Sequence, residues 1–272
     1  MQEKSTSEPR MLLSKKSRYT HETLVSNSFF AGVHVGFRKF ILPNLNFRLG
    51  LLWVILDPLL KAAVFTFLIM VLRGSASPAS LIIGVFTYAS QSGSFSKSMV
   101  MSPSNEPFPL THTPDAPLLA SIISSQIFTA IFLGISGASM LILFADASSP
   151  LLIALPISCC ALAIIFSGAG LLLSPINLVI KDFGAFIGHL LRLGFFLHCV
   201  LYPYSMTSGL HRSVLYWLPH TILVEWCRAI SSGTSSPFTI IHSIEVILLW
   251  SIPMAIGFVR FKQYRWRATT WS

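Results

Sequence analysis

Charge is scarce in this sequence. Only 11% of its 272 residues are Asp, Glu, Lys or Arg, where a soluble domain carries roughly a quarter. That shortage excludes a globular surface covered by charge. Cysteine is scarce too: Cys159, Cys160, Cys199 and Cys227. Their spacing fits neither a metal-ligand motif nor a disulfide framework, so they read as small packing residues. The phosphate-gripping pattern GxxxxGK[ST] is absent, which excludes a P-loop ATPase within this sequence. HExxH and GxSxG are absent as well. The eight histidines are scattered, and no tight cluster of carboxylates marks a membrane enzyme. The expectation is therefore no catalytic, cofactor-binding or metal-ligating residue, no cofactor, and a protein that is not an enzyme. A cleavable signal is not expected either, because the first strongly apolar stretch begins near residue 50 and is too long for one.

What is present is apolar. Hydrophobic residues make up 53% of the chain, and the mean hydropathy is +0.69. This composition predicts a polytopic membrane protein with a single transmembrane domain over residues 29–260, flanked by cytoplasmic tails at 1–28 and 261–272. The formal net charge of +9 raises nucleic acid as a partner. The basic residues instead cluster near the two ends, which suits anchoring against anionic headgroups. No nucleic-acid partner is expected.

Residues 29–48 mix Phe29, Phe30, Phe37, Phe40 and Leu42 with His34, Arg38, Lys39 and Arg48. That mixture predicts an amphipathic helix lying in the membrane interface. Six spans follow, at 50–72, 79–100, 118–144, 151–173, 183–203 and 240–259, each near the ~20 residues a bilayer needs. The first holds Asp57 and Lys61, an i,i+4 pair on one helix face. Charge inside a span faces protein or water rather than lipid, so this pair predicts a polar interior or boundary. The second span is serine-rich, with Tyr88, Gln91, Ser92, Ser94, Ser96 and Lys97, and should be buried or face a wet path. Small residues in the third, Gly134 to Ser139, permit close helix packing. Residues 101–117 hold five prolines, which predicts a rigid connection. Residues 204–239 are long, aromatic and interrupted by Pro219, Gly233 and Pro237, which predicts a segment dipping partway into the membrane. Counting Lys and Arg places both termini in the cytoplasm and 204–239 outside.

The ordered motifs resemble one family. Leu49-Gly50-Leu51-Leu52-Trp53-x-x-x-Asp57-Pro58 resembles the LGxLWxxxEP opening of the membrane subunits of bacterial polysaccharide exporters, the type-two permeases of the ABC superfamily. Phe108-Pro109-x-x-His112-x-Pro114-Asp115-Ala116 stands where those permeases have a YPxVxPxDA-like stretch. Gly168-x-Gly170, Lys181-Asp182-Phe183 and Leu190-Leu191-Arg192-x-x-Phe195-Phe196 resemble the passage between spans four and five. Leu218-Pro219-His220 through Glu225-x-x-Arg228 resembles the external NPLxHxIExxR segment. Asp57 replaces the family's usual Glu, Leu218 its Asn, and the second span is richer in serine.

The resemblance implies an all-α membrane fold. It has six transmembrane helices, an N-terminal amphipathic interfacial helix and a re-entrant external segment between spans five and six. It implies a homodimer in the bacterial inner membrane, two copies of a separate cytoplasmic ATP-binding subunit, a lipid-linked capsular or related polysaccharide as substrate, and periplasmic and outer-membrane partners. ATPase coupling is then expected at Arg38, Lys39, Arg48, Glu106, Phe108, His112 and Asp115. The substrate path is expected at Trp53, Tyr88, Phe95, Tyr202, Tyr204, Tyr216 and Trp217, whose aromatic faces stack on sugar rings. Asp57–Lys61 and Glu225–Arg228 are expected as structural ion pairs. An ion- or proton-coupled carrier using Asp57, Lys61, His189 and Arg192 is the competing expectation, and a permease of the same architecture for a drug or small lipid is a third.

Overall fold

A computed structural model describes residues 21–45, 48–73, 77–100, 115–145, 147–180 and 182–268. All regular structure among them is helical: α1 (His21–Leu45), α2 (Leu52–Arg73), α3 (Pro78–Met99), α4 (Asp115–Ala145), α5 (Leu151–Val179), α6 (Phe183–Leu197), α7 (Gly209–Tyr216), α8 (Pro219–Ser232) and α9 (Ile240–Ala268). Four stretches are long and apolar enough to cross a membrane: Leu52–Leu72, Pro117–Ala145, Leu151–Asn177 and Ile240–Phe261. This is the architecture of a multi-pass membrane protein.

Two of the six expected spans differ in kind from those four. α3 has the length, but its serines and other polar groups make it too hydrophilic to rank with them. It is the buried centre instead, packed by α2, α4, α5, α6 and α8, and Ile83, Phe86, Thr87 and Ser98 are sealed from solvent. The expected fifth span, 183–203, is helical only over the 15 residues of α6. At about 1.5 Å per residue that helix is roughly 22 Å long, short of the ~30 Å hydrocarbon layer. α5, in contrast, continues through Pro175 to Val179, past the end expected at 173. Proline is tolerated where neighbouring helices support the backbone.

The long helices alternate in direction. Gly134 of α4 lies on Pro156 of α5, and Leu118 and Ile122 of α4 share a cluster with Leu171 of α5, so these two are antiparallel. α5 and α9 run the same way, and their closest approach is Gly168 against Gly257. A Cβ on Gly257 would collide with the Gly168 carbonyl, so only glycine permits this crossing.

The N-terminal helix, expected at the membrane interface, packs against the protein along one face. It begins at His21 and runs beside the first half of α4 in the same direction. Gly32 and Gly36 seat on Pro117 and Ser124, and Phe40 packs on Phe128 and Phe132. These three residues recur at i,i+4, a close-packing stripe of which the amphipathic pattern included only Phe40. The structure gives that stripe a protein partner.

Residues 204–239 form a helical hairpin. His220, at the start of α8, meets Thr87, nine residues into α3, about 14 Å along that helix. Arg228, two turns later, reaches the Ser80 carbonyl in the first turn of α3. α8 therefore runs antiparallel to α3, back toward its first turn. The tip between α7 and α8 is held by α9, where Trp250 Nε1 donates to the Trp217 carbonyl at 2.9 Å. Val224 and Cys227 of α8 join the main core with Ile83, Leu155 and Cys159.

Candidate functional site: an open groove between α2, α3 and α6

A groove of about 740 Å³ opens along α2, α3 and α6. Each wall comes from one helix face, as the spacings require. α3 contributes Ala89, Ser92, Gly93 and Ser96, a smooth and mildly polar floor. α6 contributes Gly188, Leu191, Arg192 and Phe195. α2 contributes Asp57, Lys61 and Phe65. Neither Gly93 nor Gly188 has another part of the chain within 4 Å of where a Cβ would stand, so both leave the groove wide.

One end is aromatic. Phe65 lies 5.0 Å from Phe195 and 5.8 Å from Phe196, centroid to centroid. Tyr88 meets Phe195 edge-on at 5.4 Å, and its hydroxyl donates to the Leu191 carbonyl. Toward the other end the charge is two cations, Lys61 and Arg192, against the single carboxylate of Asp57. Lys61 Nζ and Asp57 Oδ2 are 2.6 Å apart, with side chains 54% and 62% exposed. The pair anticipated from sequence forms, but on the rim of an open groove rather than inside the packed chain. Its lone members therefore lack the burial that would make them costly.

The remaining aromatic residues expected on one substrate path lie elsewhere. Phe95 packs against Leu162, Ile165 and Phe166 of α5. Trp53 is half exposed in the first turn of α2 and is not part of the groove wall. The Tyr202 hydroxyl donates to the Leu197 carbonyl at 2.8 Å and meets His211 Nε2 at 3.0 Å. Tyr204 is buried, 4.8 Å from Phe238, with the Arg212 guanidinium 5.0 Å over its ring. Tyr216 stacks on His242 at 3.8 Å, and Trp217 lines an apolar hollow with Trp250. Which helix passes a ring at its own height decides its partner. α6 passes Tyr88, α5 passes Phe95, and α9 with Phe238 takes the rings of the hairpin. Within one chain they do not line one path.

The second expected ion pair is buried. Arg228 Nη1 donates to Glu225 Oε1 at 2.7 Å, and both side chains are under 10% exposed. The guanidinium also donates to the carbonyls of Ser80 (3.2 Å), Val200 (3.0 Å) and Tyr202 (3.1 Å). Glu225 accepts the Tyr204 backbone N–H at 3.0 Å. One ion pair thus fastens α8, the entrance to the hairpin and the first turn of α3.

Beneath it lies a cluster that sequence reasoning missed. His220, fully buried, faces Thr87 Oγ1 at 3.3 Å and the ring of His198 at 5.1 Å, with Tyr88 edge-on to both imidazoles. The available signal was Thr87-Tyr88 in the polar span, which needed buried partners from elsewhere. His189, in contrast, is exposed and does not line the groove.

Of the expected coupling residues, Arg38 is exposed on α1 and Arg48 in the turn before α2. Lys39 donates to Ser121 Oγ at 3.3 Å. Asp115 opens α4. Glu106, Phe108 and His112 lie outside the described residues. Among the described residues, no group of three or more His, Cys, Asp or Glu could hold a metal ion. Comparison with known proteins found no matching family model and no matching curated protein.

Proposed function

We propose that the chain is the permease subunit of an ATP-driven exporter. Its substrate is a lipid-linked capsular or related cell-surface polysaccharide, moved from the cytoplasm across the inner membrane of a bacterium. The proposal takes α2, α3, α4, α5, α6 and α9 as six spans and the α7–α8 hairpin as a re-entrant external segment. Both termini are cytoplasmic. Two copies of the chain work with two copies of a separate ATP-binding subunit, and with periplasmic and outer-membrane export proteins.

One observation carries this reading. The groove joins a smooth serine and glycine floor, an aromatic end and a cationic rim, and it is open along one side of the single chain. Aromatic faces hold sugar rings without locking onto one register, which a sliding polymer requires. A negatively charged lipid carrier complements Lys61 and Arg192. A second copy set against the open side would enclose the path, and α2 and α6 carry exposed apolar residues, Val64, Phe67, Leu190 and Leu193, that suit such a contact. The motif order given above supplies the polysaccharide class.

The test is deletion with complementation. Cells lacking this chain should lose surface polysaccharide and hold polymer inside, and export should stop on ATP depletion. Normal export without the chain would overturn the proposal. One observation favours a second reading, an ion-coupled carrier: Asp57, Lys61 and Arg192 share the groove. That carrier would stop with an uncoupler and persist when only ATP is depleted.

A further inference from the structure

A second groove, of about 660 Å³, lies between α1, α2, α3 and α4 and shares Ser96 with the first. Its lining divides by chemistry. Phe40 and Pro43 of α1 and Val54 of α2 form an apolar side. Lys97 of α3, with Gln126 and Thr129 of α4, forms a polar side, and α1 adds Lys39, which donates to Ser121 Oγ, and Asn44. No Asp or Glu lines the groove, and no carboxylate among the described residues pairs with Lys97. Gln126 is 2% exposed, so α4 is packed where it lines the groove, while Lys97 is exposed at its edge.

The depth of the groove is fixed by α2. Val54 is the third residue of that helix, whose membrane-length apolar run begins at Leu52. Lys97 therefore stands where the chain enters an apolar layer, the level at which a bilayer carries its phosphates. An ammonium at that boundary is costly without a counter-charge. It sits in the last turn of α3, where the helix end itself favours a cation, but the groove beside it holds room and no anion of the protein.

The geometry points to a binding site for the phosphate headgroup of an anionic lipid, with Lys97 as its principal contact. The phosphate meets the ammonium, the Gln126 amide and the Thr129 hydroxyl supply further donors, and the glycerol and first acyl carbons lie on Phe40, Pro43 and Val54. A free phosphate shares the head chemistry and leaves that apolar side unused. The site adjoins the α2–α3–α6 groove at Ser96 and does not rest on the export reading.

The test uses the full-length chain, delipidated in detergent and titrated with phosphatidylglycerol or phosphatidylcholine, with bound lipid counted by native mass spectrometry. The wild type should prefer phosphatidylglycerol. Lys97→Gln should weaken that lipid about fivefold, the effect of one basic residue at a membrane surface, and leave phosphatidylcholine unchanged. Lys97→Arg should retain the preference, and Arg212→Gln, an equal loss of charge elsewhere, should not alter it. Unchanged phosphatidylglycerol binding in Lys97→Gln would overturn the proposal, as would an equal loss in Arg212→Gln. Displacement of the lipid by millimolar inorganic phosphate would overturn the lipid assignment in favour of a free anion. A photoreactive phosphatidylglycerol on the wild type gives a readout independent of any variant. Labelling at Phe40–Asn44 or Val54 supports the site, and labelling only elsewhere overturns it.

Discussion

Arg228→Ala should be the most damaging single substitution at the hairpin. The guanidinium donates to one carboxylate and to the carbonyls of Ser80, Val200 and Tyr202. Its removal leaves Glu225 as a buried charge with only the Tyr204 N–H for company. Breaking a buried pair in this way costs about 3–5 kcal/mol. At roughly 2–4 °C per kcal/mol for a chain of this size class, the melting midpoint should fall by roughly 6–20 °C. Glu225→Gln is the informative partner. Its amide oxygen still accepts from Tyr204 N–H and Arg228, and the arginine keeps its three carbonyls, so the loss should be about 1–2 kcal/mol. Lys cannot reach three separated carbonyls with one ammonium, so Arg228→Lys should fall near Arg228→Ala. The assay is thermal unfolding of the purified full-length chain in one detergent, followed by tryptophan fluorescence. An Arg228→Ala midpoint within about 2 °C of wild type, less than ~1 kcal/mol on the same scale, would refute the claim that this ion pair fastens the hairpin.

Asp57→Asn, Lys61→Gln and the double variant should all melt within about 1 kcal/mol of wild type, because both side chains are more than half exposed in the chain; a single variant far below the double would show a buried pair. Gly93→Leu should leave the folded yield intact, since nothing lies within 4 Å of where its Cβ would stand and the side chain enters the open groove, yet lower export by obstructing that groove, read as surface polysaccharide in complemented cells. Gly257→Leu should do the reverse and lose folded protein, because the Gly168 carbonyl occupies that space; size-exclusion profiles separate the two. Thr87→Val removes the hydroxyl facing His220 and should cost about 1 kcal/mol, measured by the same unfolding assay.

Much of the helical framework was legible because apolar runs longer than a bilayer is thick have few other fates. Leu52–Leu72, Pro117–Ala145, Leu151–Asn177 and Ile240–Phe261 overlap the expected spans within a few residues, except where α5 passes through Pro175. The pairings of Asp57 with Lys61 and of Glu225 with Arg228 follow from helical spacing alone. What spacing cannot fix is the neighbour each face meets. Phe40 reads as part of the apolar side of an amphipathic helix, and no local pattern says that α4 covers it together with Gly32 and Gly36. Tyr88 and Phe95, seven residues apart on α3, met different helices at their two heights. The groove needed the crossing of α2, α3 and α6, and only its small residues at 89, 92, 93 and 96 left a trace in sequence. His220 and Thr87 are 133 residues apart, and no local pattern announces that contact.

The polar centre of the fold also constrains how the chain is assembled during synthesis. α3 emerges early, yet the helices that cover it, α5 and α8, emerge some 70 to 140 residues later. Until then its buried serines and Gln91 have no finished enclosure, and a segment this hydrophilic is weakly retained by an insertion machinery that reads hydrophobicity. Its place is secured retroactively, when α8 slides down beside it and Arg228 closes on Ser80. Truncation before Pro219 therefore removes more than a peripheral hairpin: it takes away the part that completes a helix laid down at the beginning.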